Sequence, residues 1–214
     1  MDEDWFARWR EGRTGWHEAE GNACLKALWP ATDDRRVLVP LCGKTQDLVL
    51  LAARGADVTG VELSPLAARA FFAENGLRYS VGRLGGLRCY RADDRPVTIC
   101  IGDYFAFGGV TFDALYDRGA LVALPGRERP RYAAHTDALL AADAGRLVIT
   151  LEYDQQRADG PPYSVAADEV RTYWPGLRRV CERNDIDNAP PKFREAGLAT
   201  FTEVAWVAPA ESAP

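Results

Sequence analysis

Gly43 and Glu62 stand nineteen positions apart, and each lies at the end of a short apolar run, VLVPL at Val37 to Leu41 and VTGVE at Val58 to Glu62. A carboxylate at the end of the second run can accept both hydroxyls of a ribose. The glycine at the end of the first lets the backbone approach the rest of the same ligand closely. Gly102 and Asp103 follow a third run, with Tyr104 and Phe105 beside them. Asp103 serves there either as a hydrogen-bonding end for an adenine or as the cap of a turn. Arg118 ends a fourth run, where it meets a ligand carboxylate through a charge-assisted contact or pairs at the surface with Asp117 or Asp113. Trp5, Trp9 and Trp16 could form an aromatic lid over a cation, or simply pack. His17 is either a base or, as a lone histidine more often is, structural.

The turn letters discriminate between nucleotide ligands. A dinucleotide site wants G-x-G-x-x-G, but this turn is Pro40-Leu41-Cys42-Gly43-Lys44-Thr45, with one glycine. Gly43-Lys44-Thr45 imitates the end of a P-loop, yet the glycine needed five positions earlier is Leu38. NAD and ATP are both disfavoured. A ligand with adenosine and no phosphate group needs neither glycine cluster, and S-adenosylmethionine (SAM) is such a ligand.

The elements that must position these residues alternate between strand and helix. After the first apolar run, Asp47 to Arg54 reads as a helix stopped by Gly55. After the second, Ser64 and Pro65 open a helix that Gly76 ends. Leu87 to Arg91 and Pro96 to Ile101 form a hairpin about Ala92 to Arg95. Phe112 to Tyr116 is a strand, Pro130 to Asp143 a helix, Arg146 to Tyr153 a strand, and Ala167 to Trp174 a short helix. Leu177 to Arg183 and Thr200 to Val207 close the chain as a pair of edge strands. The pattern is that of a doubly wound α/β domain.

With 214 residues the chain is expected to form one domain, 1–214, with residues 1–30 as an N-terminal lid or helical segment holding four of the six tryptophans. A formal charge of −5 without a basic cluster argues against nucleic acid or an anionic membrane surface as partner, and for a small molecule. No apolar stretch resembles a signal peptide or a membrane span, so a cytoplasmic protein is expected, and a monomer. The five cysteines are odd in number, widely spaced and without a C-x-x-C pair, which argues against a disulfide framework and a zinc site. No metal is expected.

Six separated segments, WFARWREGRTGWH (Trp5 to His17), VLVPLCGK (Val37 to Lys44), VTGVELS (Val58 to Ser64), FFAENGL (Phe71 to Leu77), YDRGALVALP (Tyr116 to Pro125) and DGPPYSV (Asp159 to Val165), resemble in order the thiopurine S-methyltransferases. The ending at Pro190 to Gly197 is similar to that of the bacterial members. This resemblance implies a class I SAM-dependent methyltransferase fold, Rossmann-like, with a seven-stranded, mostly parallel sheet and helices on both faces. It implies SAM contacts from Trp9, Leu41, Glu62 and Arg118, with Trp5, Trp16, Gly102 and Asp103 in the same pocket, which Gly43 joins on its spacing from Glu62. The acceptor it implies is a thiopurine or a related small soft nucleophile, with halide, thiol, selenium and tellurium species as alternatives and a non-catalytic SAM-binding protein as another. The family position matched by Trp16 is usually Phe, which implies an acceptor pocket of different shape. Pro161, Pro162 and Tyr163 would shape the acceptor side, and Asp154 or His17 would orient the acceptor; no catalytic base is assigned.

Overall fold

Val37, Leu38 and Val39 are buried on both faces of the sheet, as expected for a central parallel strand whose letters are apolar without alternation. In the computed structural model, which describes residues 5–12, 18–29 and 35–208, they belong to β1 (Arg36–Pro40). Two short helices, α1 (Trp5–Arg10) and α2 (Ala23–Leu28), precede it. The alternation then runs α3 (Asp47–Ala53), β2 (Asp57–Glu62), α4 (Pro65–Glu74), β3 (Tyr79–Leu84), β4 (Leu87–Ala92), β5 (Val97–Ile101) and β6 (Phe112–Arg118). It continues through α5 (Ala120–Ala123), α6 (Arg129–Ala138), β7 (Leu140–Glu152), α7 (Ala167–Tyr173), β8 (Arg178–Asn184), α8 (Pro191–Glu195) and β9 (Thr202–Ala208).

The strands form one sheet in the order β3-β4-β5-β2-β1-β6-β7-β9-β8. The five from β5 to β7 are parallel, and antiparallel pairs close both edges. The chain leaves β1 toward β2 on one side and returns to β6 on the other. β1 and β6 thus flank the switch point, where an open α/β sheet has its crevice.

The doubly wound fold is as expected, but the sheet has nine strands instead of seven. The two additional strands, β3 and β4, lie at the first edge; β4 matches the expected hairpin, whereas the unforeseen β3 is almost wholly exposed and so lacks the half-buried alternation that marks a strand. Its backbone is held by the full register against β4, from Tyr79 opposite Ala92 to Leu84 opposite Leu87. A second difference lies after α6. The helix ends at Ala138, and residues that read as its last turn, Leu140 to Asp143, already extend β7. Pairing of Phe112 with Leu140, across a bulge, overrides the helical preference of the alanines.

The cysteine expectation needs correction. Cys89 and Cys100 lie directly opposite each other on β4 and β5 and form a disulfide. Eleven positions separate them in sequence, and only the antiparallel register puts them side by side. An odd number of cysteines leaves room for one such bridge. Cys24 and Cys42 are buried free thiols, and Cys181 is half-buried. Among the described residues no helix is long and apolar enough to cross a membrane.

Candidate functional site

A cavity of about 960 Å³ opens at the C-terminal ends of the parallel strands, and its wall includes Leu41, Gly43, Glu62, Gly102, Asp103 and Arg118. Residues from four strand ends therefore meet in one place. Trp5 and Trp9 reach the same wall from the N-terminal segment. Trp16 and His17 lie outside the described residues.

The turn after β1 is tight because two residues take positive φ, Leu41 at 46° and Gly43 at 58°. For a leucine this is a strained conformation, of the kind that collects at ligand sites. The backbone thereby turns the Gly43 N–H onto the Glu62 carboxylate, Oε2, at 2.8 Å. The other oxygen, Oε1, accepts from the Ser64 N–H at 2.7 Å. Glu62 is only 6% exposed, and burial pushes its carboxyl up to about 7 despite these backbone donors. The two carboxylate oxygens together offer about four lone-pair sites, more than the Gly43, Ser64 and Leu63 N–H groups occupy. The Ser64 hydroxyl, at the start of α4, is buried with no hydrogen-bond partner.

Gly102 follows β5 with φ 151°, and its N–H bonds the Glu62 carbonyl at 3.0 Å. That φ favours glycine, and a Cβ there would also come within 2.8 Å of the Leu87 side chain. Asp103 has the turn-capping role and also a place in the cavity wall: it caps a 3-10 turn, accepting from the Phe105 N–H at 3.0 Å. Phe105 also faces the cavity, and the Arg131 guanidinium lies 3.8 Å from its ring centre.

Arg118 does not pair with Asp117 or Asp113. Asp117, fully buried, accepts the Ala120 and Leu121 N–H groups and the Tyr132 hydroxyl; Asp113 accepts the Arg36 N–H. Among the described residues Arg118 pairs with Glu18, which sequence spacing does not single out. Burial works against the Arg118 charge, but the Glu18 carboxylate and its neighbours outweigh this and hold the guanidinium protonated more firmly than usual. Glu18 itself lies 3.4 Å from Nδ2 of Asn22, which also donates to Glu203 Oε2 at 3.2 Å. Asn22 is fully buried; its side-chain oxygen caps α2, and its N–H reaches Asp47 Oδ1 at 2.7 Å. Asp47 in turn accepts the Tyr116 hydroxyl at 2.8 Å. This chain of contacts ties the N-terminal segment to β6 and β9.

Toward the other end the wall becomes apolar, with Val122, Leu124, Ile149, Leu151, Pro161 and Pro162. Lys192 of α8 also faces it and fastens the proline loop, donating to the carbonyls of Asp159 at 2.7 Å and Pro161 at 2.9 Å. Of the residues expected to shape this end, the two prolines are in the wall. Tyr163 is not; its ring lies against Gly160 and its N–H bonds the Val122 carbonyl. Asp154 is exposed, accepts the Gln156 N–H, and is away from the cavity.

The residues fit an adenosine ligand that bears an amino acid. A buried carboxylate with open lone pairs suits a ribose, Asp103 and Phe105 suit an adenine, and Arg118 suits a carboxylate.

A sequence profile of the family described as thiopurine S-methyltransferase (TPMT) matches residues 1–210. A thiopurine S-methyltransferase of Bordetella petrii is 47% identical over 212 residues, covering 95% of this chain and 96% of that one. Another, of Photobacterium profundum, is 40% identical over 209 residues, covering 96% and 97%. Among solved structures, the Burkholderia thailandensis 1,6-didemethyltoxoflavin-N1-methyltransferase with bound S-adenosylhomocysteine superposes with a TM-score of 0.59 over 96% of this chain and 86% of that one. At 16% identity this likeness concerns the fold. The match over nearly the whole length places the chain in the thiopurine S-methyltransferase family, and with it among the SAM-dependent methyltransferases.

Proposed function

We propose that the protein transfers a methyl group from SAM to the sulfur of a thiopurine or a related small, soft nucleophile. The observation that carries this reading is a single cavity that is polar about Glu62, Asp103 and Arg118 and apolar about Val122, Leu151 and the two prolines. When bound, SAM supplies a methyl on a cationic sulfur that is open to in-line displacement. Glu62 holds the ribose, Arg118 holds the carboxylate, and Leu41, Gly43 and Gly102 offer backbone at close approach. Trp5 and Trp9 of the N-terminal segment cover the site. Pro161, Pro162 and Lys192 bound the acceptor.

The task left to these residues is alignment, with donor and acceptor held at about 3–3.5 Å. A thiol of depressed pKa is already partly thiolate near neutrality and needs little help from a base. The test is transfer of labelled methyl from SAM to 6-mercaptopurine, with SAM affinity measured separately for wild type and Glu62→Ala. Turnover by the wild type and weakened SAM binding by the variant are expected. SAM binding without turnover discards the thiopurine acceptor; absence of SAM binding discards the site.

A further inference from the structure

The Arg118 guanidinium and the Glu18 carboxylate form an ion pair within the cavity wall, with side chains 17% and 32% exposed. The wall thus presents a positive and a negative group side by side. The amino acid end of SAM carries the complementary pair, a carboxylate and an ammonium on one carbon. We propose that Glu18 binds the α-ammonium of SAM while Arg118 binds its carboxylate, so that the two residues together read the zwitterion. This rests on the assignment of the cavity to SAM.

Three observations favour a ligand-binding Glu18. Its carboxylate is held from behind by Asn22 Nδ2, at 3.4 Å and 3.5 Å from its two oxygens. Asn22 is itself immobilised: fully buried, with its N–H on Asp47 and its side chain shared between the α2 cap and Glu203. Glu203 lines the same cavity and is 6% exposed. Among the described residues, Arg118 and Arg183 face Glu18 and Glu203 at this end of the wall, with Arg183 pairing with Glu203 at 3.6 Å, so positive and negative side chains stand in equal number. An arriving carboxylate alone would satisfy Arg118 and leave Glu18 without its counter-charge. A zwitterion that places its ammonium beside Glu18 is accommodated.

The measurement is calorimetric binding of S-adenosylhomocysteine, which carries the same amino acid end as SAM, and of its analogue lacking the α-amino group. Wild type and Glu18→Gln are compared. With the wild type, loss of the amino group weakens binding about tenfold. With Glu18→Gln, S-adenosylhomocysteine weakens by a similar factor and the two ligands bind within about twofold of each other. Glu18→Asp, which keeps the charge on a shorter arm, recovers part of the difference. Equal weakening of both ligands would reduce Glu18 to a structural support for Arg118, and tighter binding by Glu18→Gln would make it a competitor of the ligand carboxylate. Either result overturns the assignment while leaving the cofactor site in place. Failure of the wild type to bind S-adenosylhomocysteine would remove both.

Discussion

Glu62 Oε2 accepts the Gly43 N–H at 2.8 Å, so the two residues whose spacing first suggested a ligand site are in direct contact. The contact joins the ends of adjacent parallel strands, β1 and β2, and fixes the carboxylate at the mouth of the sheet. It also leaves the outer lone pairs of the carboxylate as acceptors for a ligand.

Glu62→Ala removes those acceptors and leaves the Gly43 and Ser64 N–H groups without their partner. Hydrogen bonds to a charged group contribute about 1.5–3 kcal/mol, so affinity for S-adenosylhomocysteine should fall about 10- to 150-fold by calorimetry. Unchanged affinity would refute the role given to Glu62.

The same carboxyl gives a pH signature. Burial raises it to about 7, so it carries a proton in much of the ligand-free protein at pH 6. Only the ionised form accepts from two ribose hydroxyls at once. Wild-type affinity for S-adenosylhomocysteine should therefore rise between pH 6 and pH 8, and the rise should vanish in Glu62→Ala. A rise of equal size in the variant would trace it to another group.

Asp117 governs stability in a different way. Burial pushes its carboxyl from 3.8 up to about 6, against the opposing effect of its three donors. A carboxyl raised by folding contributes stability that is present below pH 3.8 and lost as the pH rises through 6. Asn at this position can still accept the Ala120 and Leu121 N–H groups and can donate to the Tyr132 oxygen. Asp117→Asn should therefore be more stable than wild type at pH 8 by about 1–3 kcal/mol, with the gain shrinking toward pH 4. Denaturant unfolding at the two pH values checks this, and a gain independent of pH would contradict it.

Trp9 lines the cavity from the N-terminal segment. If its ring covers the cationic sulfur, Trp9→Ala should weaken SAM more than S-adenosylhomocysteine, whose sulfur is neutral. Cation–π attraction of about 0.5–2 kcal/mol sets the expected difference at about 2- to 30-fold. Equal losses for the two ligands would leave Trp9 as a packing residue.

The disulfide can be counted. Denatured without reductant, the protein should titrate three thiols, Cys24, Cys42 and Cys181. After reduction it should titrate all five. Five thiols before reduction would show that Cys89 and Cys100 are not bridged.

The sequence by itself determined the βαβ order, the helix opened by Ser64 and Pro65, and the alignment of Gly43, Glu62, Gly102 and Arg118 with strand ends. These are local properties: an apolar run, a breaker and a charged residue fall within a few positions of each other, and in a parallel sheet every such strand end points to the same crevice. β3, the extended start of β7, the Cys89–Cys100 bridge and the Glu18–Arg118 pair were decided by the tertiary structure. β3 is exposed and carries no burial pattern, and β7 overrides helix-forming alanines by pairing with β6. The bridge depends on the β4–β5 register. Glu18 reaches Arg118 across one hundred positions because Asn22 and Asp47 dock the N-terminal segment against the sheet, and no local pattern of residues encodes a contact of that range.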